Sequence, residues 1–299
     1  RCSRDWSSDV CSSDLQVTGR LSIRAHLGLA LALTLAWASA ASAQTTTPTT
    51  STTSGVRSLL SYLDDAEILP PQHAVLSGAW GYVRRRSNHE TDVPSLFASV
   101  GVAPRVQVAA SLFHYASTYS DGTSLSGRGD AWIIGKVAVV SPREHPGGVA
   151  LSPLIEILSD SSTQYRAVGT GRLAWGLPVN LQYTWTKVQV LATAGYFSRG
   201  AVSANAGVQV WAGKHAIATL SVAHSHATRH TDLDVQYGLN QDRTDVSGSV
   251  DLFLTPTITL FGALGRTVGA LDPSGVTSQV SVGVSVALAP ARKIGRAHV

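Results

Sequence analysis

GRLAWGLPVNLQYTW, residues 171–185, decides the fold. Leu173, Trp175, Leu177, Val179, Leu181, Tyr183 and Trp185 are apolar or aromatic, and Arg172, Ala174, Gly176, Pro178, Asn180, Gln182 and Thr184 between them are small, polar or charged. The period is two, so one face of an extended segment carries all the large apolar groups. A strand of a soluble sandwich gives this pattern over about 5 to 6 residues. Here it persists for roughly twice that, the length that a tilted strand needs to cross a bilayer core. Tyr183 and Trp185 stand at one end, where aromatic rings favour the membrane interface. The stretch predicts a membrane-spanning strand with lipid on one face and a barrel lumen on the other.

Outward from it, further segments of the same kind are separated by turn signals. They are read at 73–84, 95–103, 105–116, 129–141, 148–158, 187–198, 201–212, 215–227, 244–255, 257–267 and 275–289. The last is nearly as regular as the first: Val280, Val282, Val284, Val286 and Leu288 alternate with Gln279, Ser281, Gly283, Ser285 and Ala287. The expected fold class is all-β, a transmembrane antiparallel up-and-down β-barrel of about twelve strands. Connection lengths support this independently. Short links at 104, 142–147, 186, 213–214 and 256 alternate with longer ones at 85–94, 117–128, 159–170, 228–243 and 268–274, the tight link at 199–200 excepted. Membrane barrels have short turns on one side and longer loops on the other. An even strand number places both termini on the short-turn side.

The N-terminal region reads as processing signal. Arg20, Arg24 and His26 precede an apolar run at 27–37, and Ala41-Ser42-Ala43 presents small residues where a signal peptidase cuts. Residues 16–43 are therefore expected to be a cleaved signal, with the mature chain starting at Gln44. Residues 44–72 open on a Thr, Ser and Pro linker and continue into a short mixed segment, and the barrel is expected at 73–290. The extreme ends read as sequencing adapter. The oligonucleotide GACGTGTGCTCTTCCGATCT encodes Asp9-Val10-Cys11-Ser12-Ser13-Asp14-Leu15, and its reverse complement encodes Lys293-Ile294-Gly295-Arg296-Ala297-His298-Val299. Residues 1–15 and 293–299 are accordingly set aside. With Cys2 and Cys11 in or beside the adapter, no thiol chemistry is expected of the rest.

Composition bounds the function. Charged residues make up 14% of the chain and are scattered, so there is no basic patch of the kind that binds nucleic acid. If the apolar register meets lipid, the other register gives the lumen-lining candidates: Glu156, Arg172, Asn180, Gln182, Gln189, Asn205, Gln209 and Asp251. Lys136 joins them, although Trp132 and Ile134 share its register and leave the strand's facing ambiguous. A charge on the lipid face is costly, so confinement of these groups to one register fits a barrel. They could form a polar conduction path, with Arg172 and Glu156 as constriction charges, or a side-chain plug. Both readings stay open.

Other constellations carry less. His224, His226 and His230 end a strand and enter a loop; imidazoles two apart share a face and could chelate a metal, but no carboxylate or cysteine cluster completes the set. Arg128-Gly129-Asp130 spells an adhesion tripeptide, yet turn geometry accounts for its glycine. Nucleophile elbows, phosphate loops and zinc-protease motifs do not occur. No catalytic residue, metal or cofactor is expected. The expected partners are outer-membrane lipid, the barrel-assembly machinery and small solutes, for a monomer in the outer membrane of a Gram-negative-type bacterium.

Several short motifs carry a resemblance. They are Ala66-Glu67-Ile68-Leu69-Pro70, then Gly101-Val102-Ala103-Pro104-Arg105-Val106-Gln107-Val108, and Ser126-Gly127-Arg128-Gly129-Asp130 followed by Gly135-Lys136-Val137. Leu154-Ile155-Glu156 and the glycine-containing last strand complete them. Over residues 66–288 the chain resembles the transporter-like outer-membrane barrels named after the meta-cleavage pathway of phenol degradation (MetA-type). The resemblance implies a barrel that takes up hydrophobic or aromatic compounds. That family ends on an aromatic residue, whereas here Ala289-Pro290-Ala291-Arg292 runs into the adapter sequence. The alternative to a channel is a sealed barrel with a structural or adhesin-like surface role.

Overall fold

A computed structural model of the chain describes residues 63–86, 88–159, 172–198, 200–228, 242–270 and 276–288. The expected signal at 16–43, both adapter-like ends, His230 and most of the connections at 159–170 and 228–243 lie outside the described residues. Fourteen strands run in chain order: β1 Ala74–Arg85, β2 Asn88–Ala103, β3 Val106–Tyr119, β4 Ser124–Arg128, β5 Ala131–Val140, β6 Gly147–Leu151, β7 Leu154–Ile157, β8 Leu173–Thr184, β9 Val188–Phe197, β10 Ala201–Trp211, β11 Ala216–Ala227, β12 Arg243–Phe253, β13 Ile258–Ala270 and β14 Val276–Leu288. Every pairing between them is antiparallel, and β1 pairs with both β2 and β14. At the opposite side of the sheet, β3 pairs with both β4 and β5, while β8 pairs with both β6 and β7.

β4 with β5, and β6 with β7, are therefore two interrupted staves, and the result is a closed transmembrane barrel of twelve staves. Closure pairs the staves edge to edge, as hydrocarbon requires, with β4 paired among the described strands to β3 alone. The interruptions fall at Gly129-Asp130 and at Ser152-Pro153, where proline has no N–H to give to the ladder. The ladder is carried across both gaps: Gly129 N donates to Phe113 O at 2.8 Å, and Ser152 N donates to Pro178 O at 2.9 Å.

The registers follow the alternation. In β8, Leu173 is 67% exposed and Trp175 53%, while Ala174 is 7% exposed and Asn180 0%. The exposed partners are the groups that meet lipid. On β5, the ambiguous strand, Lys136 is 2% exposed between outward-facing Ile133, Val137 and Val139, so Trp132, Ile134 and Lys136 all point inward. An interior tolerates large apolar groups next to a charge when something fills the space between them.

Two of the expected long connections are largely strand. β2 begins at Asn88, leaving a link of residues 86–87, and β3 runs on to Tyr119 with β4 starting at Ser124. Ladder hydrogen bonds need no apolar side chains, so hairpins continue past the apolar band into segments whose hydropathy gives no signal. The ends still differ as expected. Links at 104–105, 141–146, 185–187, 212–215 and 254–257 share one end with the start of β1 and the close of β14. That end is called the short-turn end below, and the other the long-loop end.

Candidate functional site

The barrel interior is not empty. Residues 63–70, expected as the tail of a linker, enter at the short-turn end and run inside the wall before β1 begins. Their entry is fixed at β2: Gln72 N donates to Gly101 O at 2.9 Å, and Gly101 N donates to His73 O at 2.9 Å. A Cβ at Gly101 would collide with the carbonyl oxygens of Leu69 and Pro70, so only glycine lets the two chains approach this closely. Asp65, Ala66, Ile68 and Leu69 are all buried. Deeper in, Leu63 lies against Gly207 of β10, whose missing side chain makes the room.

This inner segment pairs with the wall through side chains rather than a ladder. Leu69 N donates to Gln107 Oε1 at 2.9 Å, and Ala66 N to Gln182 Oε1 at 3.0 Å. Asp64 N donates to Thr193 Oγ1 at 3.2 Å, and Arg143 from the 141–146 link donates to Ile68 O at 2.7 Å. Thr193 Oγ1 donates in turn to Asn180 Oδ1 at 3.1 Å, and Asn180 Nδ2 to Ser152 Oγ at 2.7 Å. Three staves are tied together beneath the segment by that chain of bonds.

An ionic cluster forms its centre. The Lys136 ammonium lies 2.8 Å from the Asp64 carboxylate and 3.1 Å from Asp65 Oδ1. Glu67 follows, its Oε1 accepting from Gln182 Nε2 at 3.4 Å. Three carboxylates therefore face Lys136 and Arg143. A buried charge is stable only when it is paired and hydrogen-bonded, and with Glu67 neutral the cluster balances. Burial, and after it the Asp65 charge, push the Glu67 carboxyl up to about 7.

The sequence-derived candidates fall into three groups. Lys136, Asn180 and Gln182 hold or support the inner segment. Glu156, Gln189, Asn205, Gln209 and Asp251 are buried in the inward register elsewhere on the wall. Arg172 is exposed just before β8 begins, with Leu158 N donating to its carbonyl at 2.7 Å. Asp64, Asp65 and Glu67 were not among the candidates. Their sequence signals were the adjacent carboxylates Asp64-Asp65 and the place of Glu67 in the motif Ala66-Glu67-Ile68-Leu69-Pro70.

On the opposite arc, β10 to β14, polar groups point inward without partners. Asn205 Nδ2, Gln209 Nε2, Thr219 Oγ1, Ser281 Oγ and both amide atoms of Gln279 make no hydrogen bond. Outside the barrel, His224 and His226 share the lipid-facing side of β11. His224 Nδ1 is 2.9 Å from Thr244 Oγ1, and His226 Nδ1 is 2.9 Å from Asp242 Oδ1. Among the described residues no three His, Cys, Asp or Glu side chains are grouped to hold a metal.

Solved outer-membrane barrels share this architecture, among them a channel and a porin. The COG4313 outer membrane channel from Pseudomonas putida F1 aligns with a TM-score of 0.55 at 12% identity, over 75% of this chain and 98% of that one. The NanC porin aligns with a TM-score of 0.50 at 12% identity, over 71% of this chain and 98% of that one. At that identity the likeness is one of fold. No family model matches the sequence, and no curated protein matches it.

Proposed function

We propose that the chain is a monomeric outer-membrane channel for the passive passage of small solutes, with residues 63–70 as a displaceable gate. The carrying observation is how the inner segment is held. It sits in the lumen on side-chain hydrogen bonds and one ionic cluster, while each stave is fixed by a complete ladder. Breaking a handful of bonds worth about 0.5–1.5 kcal/mol each frees the segment and leaves the barrel intact. The fold shared with two channels supports the same reading. Uptake of hydrophobic or aromatic compounds, implied by the resemblance to the phenol meta-cleavage barrels, is the proposed substrate class. Export, insertion by the assembly machinery with the short turns in the periplasm, and absence of enzymatic activity belong to the same proposal.

A sealed structural barrel is the second reading. It is favoured by Gln189, Gln209, Asp251 and Ile217, none more than 1% exposed, which fill the interior away from the inner segment. Planar-bilayer recording separates the two. The channel reading expects small conductance steps that grow and lengthen when residues 63–70 are deleted. A barrel still electrically silent after the deletion is the sealed one.

A further inference from the structure

The strand carboxylates keep to one face of the barrel wall, whereas its cations occupy both: Lys136, Arg85 and Arg243 pair with carboxylates. The strand carboxylates Asp92, Glu156, Asp245 and Asp251 are buried in the inward register. At the long-loop end, the outward register carries cations and imidazoles instead: Arg84 on β1, His89 on β2, His114 on β3, Arg128 on β4, His224 on β11 and Arg266 on β13, all exposed. These strands occupy one continuous arc, β11 to β14 and on through β1 to β4. Arg84 stands directly across from His89, and His114 across from Arg128. Cross-strand neighbours of this kind have Cβ atoms about 4.5–5.5 Å apart, close enough to share one ligand.

Their height is set by what precedes them on the same face. Trp80 and Tyr82 stack just before Arg84, with ring centroids 6.3 Å apart. Leu112 is 54% exposed just before His114, Leu264 is 67% exposed just before Arg266, and Leu220 and Val222 precede His224. On β1, β3 and β11 the apolar run gives way to the basic group within one outward step, while on β13 Val268, 58% exposed, follows Arg266. A guanidinium within the hydrocarbon would cost about 2–4 kcal/mol, so these groups sit at headgroup level. Arg84, Arg128 and Arg266 have no ion-pair partner among the described residues, whereas Arg85 pairs with Glu90 and Arg243 with Asp245. The remaining arc is different: its outward rim residues are Leu173, Trp175, Tyr196 and Val202.

We propose that the β11-to-β4 rim binds the phosphates of a two-phosphate glycolipid in the outer leaflet, with Arg84–His89 and His114–Arg128 as the paired contacts. Guanidinium matches phosphate bidentately, and an exposed guanidinium without a carboxylate is free to do so. The pairs lie on the lateral wall directly above lipid-facing leucines, so the favoured anion is one that carries acyl chains. This rests on the outer-membrane reading above.

The test uses folded full-length barrel in nanodiscs of phosphatidylethanolamine containing diphosphoryl lipid A, and measures lipid A retained per protein. Arg84→Ala, Arg128→Ala and Arg266→Ala are combined, with Lys187→Ala plus Lys214→Ala at the short-turn end as the charge-loss control. We expect about tenfold less lipid A on the rim variant and wild-type retention on the control. Dephosphorylated lipid A should be retained no better by wild type than by the rim variant, and inorganic phosphate should not displace the lipid. Equal retention by wild type and rim variant overturns the proposal, as does displacement by inorganic phosphate, which would mark a soluble-anion site. If the triple variant fails to fold, Arg128→Gln alone is scored on its folded, heat-modifiable band by the same criteria. Conductance of the same preparations is read in parallel. Intact channels with unchanged lipid retention sink only the rim, while protein that never enters bilayers sinks the reading beneath it.

Discussion

Two arcs of the same interior are built from the same residue types and differ in what most of their amides meet, with Gln189 Oε1 on β9 unpartnered as well. On the arc from β3 to β9, Gln107, Gln182 and Thr193 are each bonded to the backbone of the inner segment. On the arc from β10 to β14, Gln209, Gln279 and Asn205 are as deeply buried, yet leave amide atoms without a partner. Buried polar groups in native proteins nearly always find partners, so a row of unmet ones calls for a reason. The comparison teaches that the first arc is occupied in holding the gate. Under the proposed gating, the second arc would line the path that forms when residues 63–70 leave.

The largest effect should come from the gate-holding arc. Lys136→Met removes the only cation in contact with Asp64 and Asp65 among the described residues and keeps an unbranched side chain one atom shorter. Breaking a buried pair this way costs about 3–5 kcal/mol. That cost falls on the docked state, since a released segment returns its carboxylates to water. The expected outcome is a barrel that still folds but stands mostly open, with protease cutting within residues 63–70. A variant as closed and as protected as wild type would remove the distinction between the arcs.

A slightly smaller effect checks that the arcs are interior at all. Leu177→Arg places a charge on the lipid face at a residue 46% exposed, at about 2–4 kcal/mol near the midplane. Assembly into the heat-modifiable form should fall sharply. Gly207→Val, on the inward face, should leave assembly intact and expel Leu63 through overpacking of about 1–3 kcal/mol. Equal assembly defects would refute the register.

The glutamines give the direct contrast. Gln182→Leu strands the Ala66 N–H and should cost about 1–3 kcal/mol in thermal stability of the docked form. Gln279→Leu removes two atoms that have no partner and should be neutral or stabilising. A matched loss at both positions would mean that the second arc carries structural bonds of the same weight as the first.

How much of this was legible depends on which force wrote it. The facing of β8 and β14 was readable residue by residue, because lipid imposes hydropathy on alternate positions and on nothing else. The extensions of β2 and β3 past the band were not, since there the ladder alone maintains the strand. Lys136 looked ambiguous because Trp132 and Ile134 share its face. That ambiguity dissolves only once the segment against it is known. The inner segment itself has no periodicity to betray it: Leu63 to Pro70 is shaped by the wall around it. Arg172 continues the alternation to the start of β8, where it is exposed.

The smallest expected effect is graded, and it tests the gate-holding arc without a mutation. Glu67 holds its proton up to about 7 when docked, against an ordinary value of 4.5, because burial and the Asp65 charge both oppose ionisation. Docking therefore takes up a proton. A raised carboxyl favours the docked form fully below the ordinary value and loses that contribution as pH rises through the docked one. The gate should thus loosen as pH rises from the ordinary value of 4.5 to about 7, with the Glu67 proton contributing up to roughly tenfold in open probability per pH unit. Glu67→Gln keeps the contact with Gln182 and cannot ionise, so it should flatten the profile. Asp64, also raised by burial with the Lys136 charge opposing, drives the same sign. Asp65, Lys136 and Arg143 face Glu67 as well and set the level of the profile, while the Glu67→Gln comparison isolates its slope. Bilayer recordings of wild type and Glu67→Gln across that range decide the point. An opening that increases toward low pH would show that protonation releases the gate, and a profile that Glu67→Gln leaves unchanged would show that the Glu67 proton plays no part; either overturns this reading.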